Sequence, residues 1–174
     1  MINSLFWNVR GVGNRPILTR LHKLCRLHEL FLVALCEPLL ELSHLEYIRV
    51  KLNFHHTSAN IEGRIRVFCD SSFTAEIVAQ SSQFIALRMT HPCMGQEFIA
   101  VLIHVACTKE DRAELWRDLA LVCSTGLPIL MACGFNVILA TDEKKGVDFL
   151  PRQRRRILSS FLTRRSCVTW VLGI

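Results

Sequence analysis

Leu5-Phe-Trp-Asn-Val-Arg-Gly-Val-Gly13 and Phe31-Leu-Val-Ala-Leu-Cys-Glu-Pro38 decide how this 174-residue chain folds. Each opens as a short apolar run and stops hard, the first at Gly11 and Gly13, the second at Glu37-Pro38. Runs of that length with abrupt stops are buried strands, predicted here over Ile2–Val9 and Phe31–Cys36. Proline disfavours helical backbone in the residue before it, so Glu37 is expected at a strand end. Between the two runs, Asn14 can cap a helix that has Pro16 in its first turn. Ile17, Leu18, Leu21, Leu24 and Cys25 give that helix an apolar stripe at three- and four-residue spacings. A strand, a helix and a second strand in this order predict a parallel or mixed sheet with the helix on one face.

Beyond this unit, Leu42, Leu45, Ile48 and Leu52 predict a second helix over Leu39–Leu52. Four β-rich runs follow: Gly63–Phe68, Phe73–Ala79, Phe84–Met89 and Phe98–Ala106. Polar breaks such as Asp70-Ser-Ser separate them, a spacing that predicts consecutive antiparallel strands. A capping-box pattern from Thr108 to Asp111 opens a helix with Leu115, Trp116, Leu119 and Val122 inward, and Gly126 ends it. Pro128–Cys133 reads as another buried strand. A polar loop over Gly134–Asp148 and an Arg-rich helix from about Pro151 to Leu162 complete the pattern. With no internal repeat or linker, residues 1–174 are expected to form one domain.

Composition narrows the class. The chain is 51% hydrophobic with a mean hydropathy of +0.30, too apolar for a disordered chain. Of its 21 Lys and Arg, six (Arg152, Arg154, Arg155, Arg156, Arg164, Arg165) follow Leu150, where there is no acid, so the net charge of +6 resides there. The longest apolar run, Phe98–Ala106, is interrupted by His104 and far shorter than a membrane-spanning helix needs. No basic segment and cleavage site mark a signal peptide, so an intracellular protein, nuclear or cytoplasmic, is expected. The eight cysteines form no Cys-x-x-Cys pair. They read as reduced thiols acting as small hydrophobes.

Three polar residues close buried strands, where α/β proteins gather their sites. Asn8 follows Leu5-Phe6-Trp7, Glu37 follows Phe31–Cys36, and Asn136 follows Leu130–Cys133 after a Gly-Phe link. Singly, each can be a turn residue, a surface carboxylate or a loop cap; the set of three is more informative. His22, Cys25 and His28 share one helix face, but their spacing matches no structural zinc pattern, and packing plus surface histidine is the favoured reading. His55-His56 is expected in a solvated loop. The cysteines have no histidine or aspartate arrangement that would mark a nucleophile.

Trp7-Asn8-Val9-Arg10-Gly11-Val12-Gly13-Asn14, Glu37, Gly63-Arg-Ile-Arg-Val-Phe68, Cys107-Thr108 with Arg112 and Leu115-Trp116, Gly134-Phe135-Asn136-Val137-Ile138-Leu139 and Glu143-Lys-Lys-Gly146 follow in order. Together they resemble the endonuclease domain of plant non-LTR (LINE-type) retrotransposons, of the endonuclease/exonuclease/phosphatase superfamily. The resemblance runs from residue 2 to about 150. It implies an α/β (α+β) fold, a two-layer β-sandwich flanked by helices, with the C-terminal part missing. It also implies a Mg²⁺-dependent phosphodiesterase (Mn²⁺ the alternative ion) that nicks DNA and uses no small-molecule cofactor. In this reading Glu37 binds the metal, Asn8 orients it and the phosphate, and Asn136 holds the phosphate or the attacking water. His104 stands where the family usually has tyrosine, and can donate to a phosphate.

Two departures predict a copy that is impaired or inactive. Gly134 replaces the aspartate of the family's Gly-Asp-Phe-Asn pattern, and general-base assistance is worth ~10²–10⁴-fold. The closing Asp-His motif has no counterpart before Ile174. A second reading from another class stays open: a non-catalytic nucleic-acid-binding remnant in which Arg152, Arg154, Arg155 and Arg156 contact phosphates, with affinity that falls steeply with salt.

Overall fold

The computed structural model describes residues 3–13, 15–92, 94–105, 109–134 and 167–168. In chain order the elements are β1 (Ser4–Asn8), α1 (Arg15–Leu27), β2 (Leu32–Cys36), a 3₁₀ turn (Leu42–His44), α2 (Leu45–Leu52), β3 (His56–Ala59), β4 (Ile65–Cys69), β5 (Thr74–Gln80), β6 (Phe84–Thr90), β7 (Phe98–His104), α3 (Lys109–Val122), a 3₁₀ turn (Cys123–Thr125), β8 (Ile129–Gly134) and β9 (Cys167–Val168). One sheet has the order β1-β2-β4-β3 and the other β5-β6-β7-β8-β9. Both are mixed: β1 runs parallel to β2 and β7 to β8, while β2–β4 and β6–β7 are antiparallel.

Period-two alternation explains the layers. Leu32, Ala34 and Cys36 of β2, with Ile65, Val67 and Cys69 of β4, face inward and meet Ile85, Leu87, Met89, Ala100 and Leu102 of the other sheet. The opposite faces are also covered. Val33, Leu35 and Phe68 lie under Leu21 and Cys25 of α1 and Ile48 and Leu52 of α2, and Ala86, Ile99 and Val101 lie under Leu115 and Leu119 of α3. Strands buried on both faces read as near-continuous apolar runs; here β4 carries Arg66 and β6 carries Arg88 within the run. The architecture is the expected two-sheet sandwich flanked by helices.

Four expectations change in detail. The second helix does not span Leu39–Leu52. Leu39 adopts a left-handed φ of 49°, the segment after it closes as the 3₁₀ turn, and α2 starts only at Leu45. Its end is clean: Asn53, at φ 60°, caps the last carbonyls, a role asparagine fills with little strain. Next, β4 and β5 are not hairpin neighbours, because the chain crosses from one sheet to the other at Asp70-Ser-Ser-Phe73. Asp70 accepts the Ser72 N–H at 2.9 Å, and Phe73, 1% exposed, packs its ring near Phe31 and Phe98. Third, His56 opens β3 rather than lying in a loop, although both His55 and His56 are solvated as expected. Fourth, β1 is shorter than the predicted run. The thiols of Cys25, Cys36 and Cys69 are buried, and desolvation pushes them up to about 11, 12 and 12, which leaves them unreactive. Among the described residues no helix is long and apolar enough to cross a membrane.

Leu87 is fully buried between the sheets, whereas Ile77 on β5 is 40% exposed. Leu87→Ala is expected to lower unfolding free energy by about 2–5 kcal/mol, and Ile77→Ala by no more than about 0.5 kcal/mol. Urea unfolding checks both, and equal losses would mean that the inner layer is misassigned.

Candidate active site

Parity brings the site together. Asn8 is two residues beyond inward-facing Phe6, and His104 two beyond inward-facing Leu102. Each therefore continues an inner row to the rim of the sandwich, where the parallel pairs β1–β2 and β7–β8 both end. Glu37 follows inward-facing Cys36, so alternation alone would aim it outward. Its backbone takes a left-handed φ of 51° instead. His104 Nε2 and Glu37 Oε1 then stand 2.7 Å apart, across the two sheets. An ionised carboxylate can only accept, so Nε2 is the donor. The Asn8 side chain hydrogen-bonds the same carboxylate, and its Oδ1 accepts the Arg10 N–H at 3.2 Å.

Backbone bonds fix this arrangement. Glu37 N–H donates to the Arg64 carbonyl at 2.9 Å, Gly11 N–H to the Glu37 carbonyl at 2.8 Å, and His104 N–H to the Gln83 carbonyl at 2.8 Å. Arg10, Glu37 and Leu39 are three of the five non-glycine residues with positive φ among those described. Such conformations cost of order 1–3 kcal/mol each and persist where the surroundings over-determine them. Gly11, at φ 105°, holds a conformation open to glycine and to few other residues. Arg66, on β4, has its side chain fully buried. Its guanidinium donates to the carbonyls of Leu40 and Gly63, tying the loop after Glu37 to the turn that carries Arg64.

Glu37 is held below the usual carboxylate range, first by the hydrogen bond from His104. Burial opposes this, while the Asn8 bond and the charges of His104 and Arg10 add to it. The His104 side chain is 10% exposed and that of Glu37 31%, so the pair is sheltered with one side open. Asn8, Glu37 and His104, distant in sequence, thus share one rim. Gly134 stands opposite His104 in the β7–β8 register, a position with no side chain to offer. Asn136 and Arg152, Arg154, Arg155 and Arg156 lie outside the described residues, as do Asn14 and Thr108. Of the His22, Cys25 and His28 set, Cys25 is buried and His28 exposed, and among the described residues no three His, Cys, Asp or Glu side chains cluster. A cavity of about 550 Å³ between α1 and α2, against His22, Arg26, Lys51 and Asp70, lies at the other end of the sheet and holds none of the rim residues.

No known protein family and no curated protein matches the chain. Solved structures do. An endonuclease/exonuclease/phosphatase family protein from Bacteroides thetaiotaomicron is similar at 13% identity and a TM-score of 0.57, over 78% of this chain and 64% of that one. The mannosyl-6-phosphatase of the same organism is similar at 13% identity and a TM-score of 0.60, over 79% and 66%. The human Nocturnin catalytic domain, with a bound sulfate anion, is similar at 14% identity and a TM-score of 0.56, over 79% and 64%. The fold is that of endonuclease/exonuclease/phosphatase proteins, and the chain spans just under two thirds of the length of these structures.

Because the Glu37 pKa is depressed on folding, its contribution to stability is present above the unfolded glutamate value, about 4.3. It is lost as pH falls through the lower folded value. Wild type should therefore lose more stability than Glu37→Gln between about pH 5 and pH 3. Parallel urea-unfolding curves for the two proteins over that interval would contradict the His104 and Asn8 contacts.

Proposed function

We propose that Asn8, Glu37 and His104 form the phosphodiester-cleaving centre of a Mg²⁺-dependent endonuclease that nicks DNA for retrotransposon insertion, and that this copy turns over slowly. One observation carries the reading: the 2.7 Å contact between His104 and Glu37, which joins two sheets at a rim that Asn8 also reaches. The fold shared with endonuclease/exonuclease/phosphatase proteins supports phosphoester chemistry, and the bound sulfate of the Nocturnin domain supports a tetrahedral anion as ligand. The order of motifs resembling LINE endonucleases favours DNA over a small phosphoester.

The donor set fits a hard cation. Glu37 is ionised and partly open to solvent, and Mg²⁺ needs only one or two carboxylates when water and phosphate complete its shell. Glu37 would hold the ion, with Asn8 and His104 fixing the carboxylate's direction. When bound, the ion supplies charge neutralisation at the scissile phosphate and the departing 3′-oxygen. His104, a donor at the rim, is placed to hydrogen-bond a phosphate oxygen. Asn136 would hold phosphate or water, and Arg152, Arg154, Arg155 and Arg156 the DNA backbone. Gly134 leaves the position beside His104 without a base.

Nicking of supercoiled plasmid with Mg²⁺ tests the proposal. Glu37→Ala is expected to lower the residual rate at least about tenfold, and Gly134→Asp to raise it by about 10²-fold or more, part of the ~10²–10⁴-fold a base supplies. DNA binding that ignores both Mg²⁺ and Glu37→Ala would favour the non-catalytic remnant instead. Cleavage of p-nitrophenyl phosphate without nicking would move the substrate to a small phosphoester.

A further inference from the structure

The Glu37–His104 contact crosses from one sheet to the other, so it depends on how the two rims are held. A buried amide joins them. Asn60 is 2% exposed and lies between β3 and β4. Its Oδ1 accepts the Ile65 N–H at 2.9 Å, closing the turn in which Arg64 receives the Glu37 N–H. Its Nδ2 reaches the other sheet, donating to the carbonyls of Ser81 at 2.9 Å and Ser82 at 3.0 Å. These two residues lead into Gln83, whose carbonyl accepts the His104 N–H at 2.8 Å. A continuous path therefore runs from the Glu37 backbone through Arg64 and Ile65 to Asn60, and on through Ser81, Ser82 and Gln83 to His104.

The turn alone needs only the oxygen of this amide. The nitrogen, with both of its protons committed, serves the neighbouring sheet. We propose that Asn60 is a positioning residue: it touches neither Glu37 nor His104 and sets the distance between them. Asn8 ends β1 and Glu37 directly follows β2 in the same sheet, so their relation does not pass through Asn60; that of Glu37 and His104 does. The functional consequence rests on the phosphodiesterase reading, whereas the geometric claim does not.

Asn60→Asp keeps the acceptor for Ile65 but sets an oxygen against the two serine carbonyls. Asn60→Ser, smaller and uncharged, is the companion variant. The first readout needs no activity: the ¹⁵N-resolved signal of the His104 Nε2 proton, assigned by its loss in His104→Asn. In wild type it should show the shift and slow exchange of a proton bound to carboxylate, and in both Asn60 variants the position of a solvent-exposed imidazole. The second readout is plasmid nicking, where kcat should fall at least tenfold while the Mg²⁺ concentration for half-maximal rate stays within twofold. An unmoved His104 signal overturns the proposal whatever the rate does. A moved signal in a protein whose wild type does not nick upholds the positioning role and rejects the phosphodiesterase reading. If neither variant folds, wild-type exchange decides. The Asn60 Nδ2 and His104 Nε2 protons should exchange at a common rate, and separate rates overturn the proposal.

Discussion

The rows that run out to the rim are set by the burial of two apolar sheet faces against each other. Leu32, Ala34, Ile65 and Val67 on one side and Ile85, Leu87, Ala100 and Leu102 on the other are all 2% exposed or less. Area removed from water is worth roughly 25 cal/mol per Å², so sliding one sheet along the other by a residue would cost far more than any polar contact at the edge could return. The packing therefore fixes where each row ends. Asn8 and His104 are simply the next residues of two inner rows, placed where the apolar contact stops and solvent begins. A polar side chain one pleat deeper would lose its water without gaining a partner.

Glu37 is different, because its row runs the wrong way. A left-handed glutamate costs of order 1–3 kcal/mol, and a hydrogen bond to a charged group returns about 1.5–3 kcal/mol. These nearly cancel, so the His104 bond alone does not explain why the strained conformer is the one adopted. The deciding contribution comes from the backbone: Glu37 N–H is tied to Arg64, its carbonyl to Gly11, and the next carbonyl to Val12. Arg66 ties the same loop through Leu40. That support has its own cost, since Arg66 Nη1 is buried without a partner among the described residues and desolvation lowers the affinity of the guanidinium for its proton. Two unfavourable features, a strained glutamate and a buried cation, are thus tied into one loop. This concentration of cost in one loop sets Glu37 apart from an ordinary surface acid.

How far the sequence carried follows from the same physics. Apolar runs hidden on both faces are visible as runs, which is why β2, β4, β6, β7 and β8 were legible, as was the α1 stripe with Leu21 and Cys25 inward. β3 was not: His-Thr-Ser-Ala on a sheet edge has no apolar signature, and it is a strand because β4 offers it hydrogen bonds. The exchange of sheets at Asp70-Ser-Ser reads in sequence like any hairpin turn, and only the buried Phe73 distinguishes it. Leu39 and Leu42 continued a helical spacing, yet the backbone just before them, at Glu37 and Pro38, is committed to holding Gly11 and Val12, and Leu39 itself is left-handed. Among site residues, Asn8 and Glu37 could be picked out as polar groups ending apolar runs, whereas His104 read as a break within one and became a candidate only through the family resemblance. Asn60 could not, because an asparagine in a turn is ordinary, and its two donations to another sheet are long-range.

The parity argument also bears on Gly134. β8 places Ala132 in the inner layer, so residue 134, two further on, continues that row to the rim as Asn8 and His104 continue theirs. It pairs in register with His104, which sets this backbone position beside residue 104 on the neighbouring strand. With glycine, Glu37 is the acid that claims Nε2. The short Glu37–His104 contact thus commits the imidazole to the acid across the sandwich.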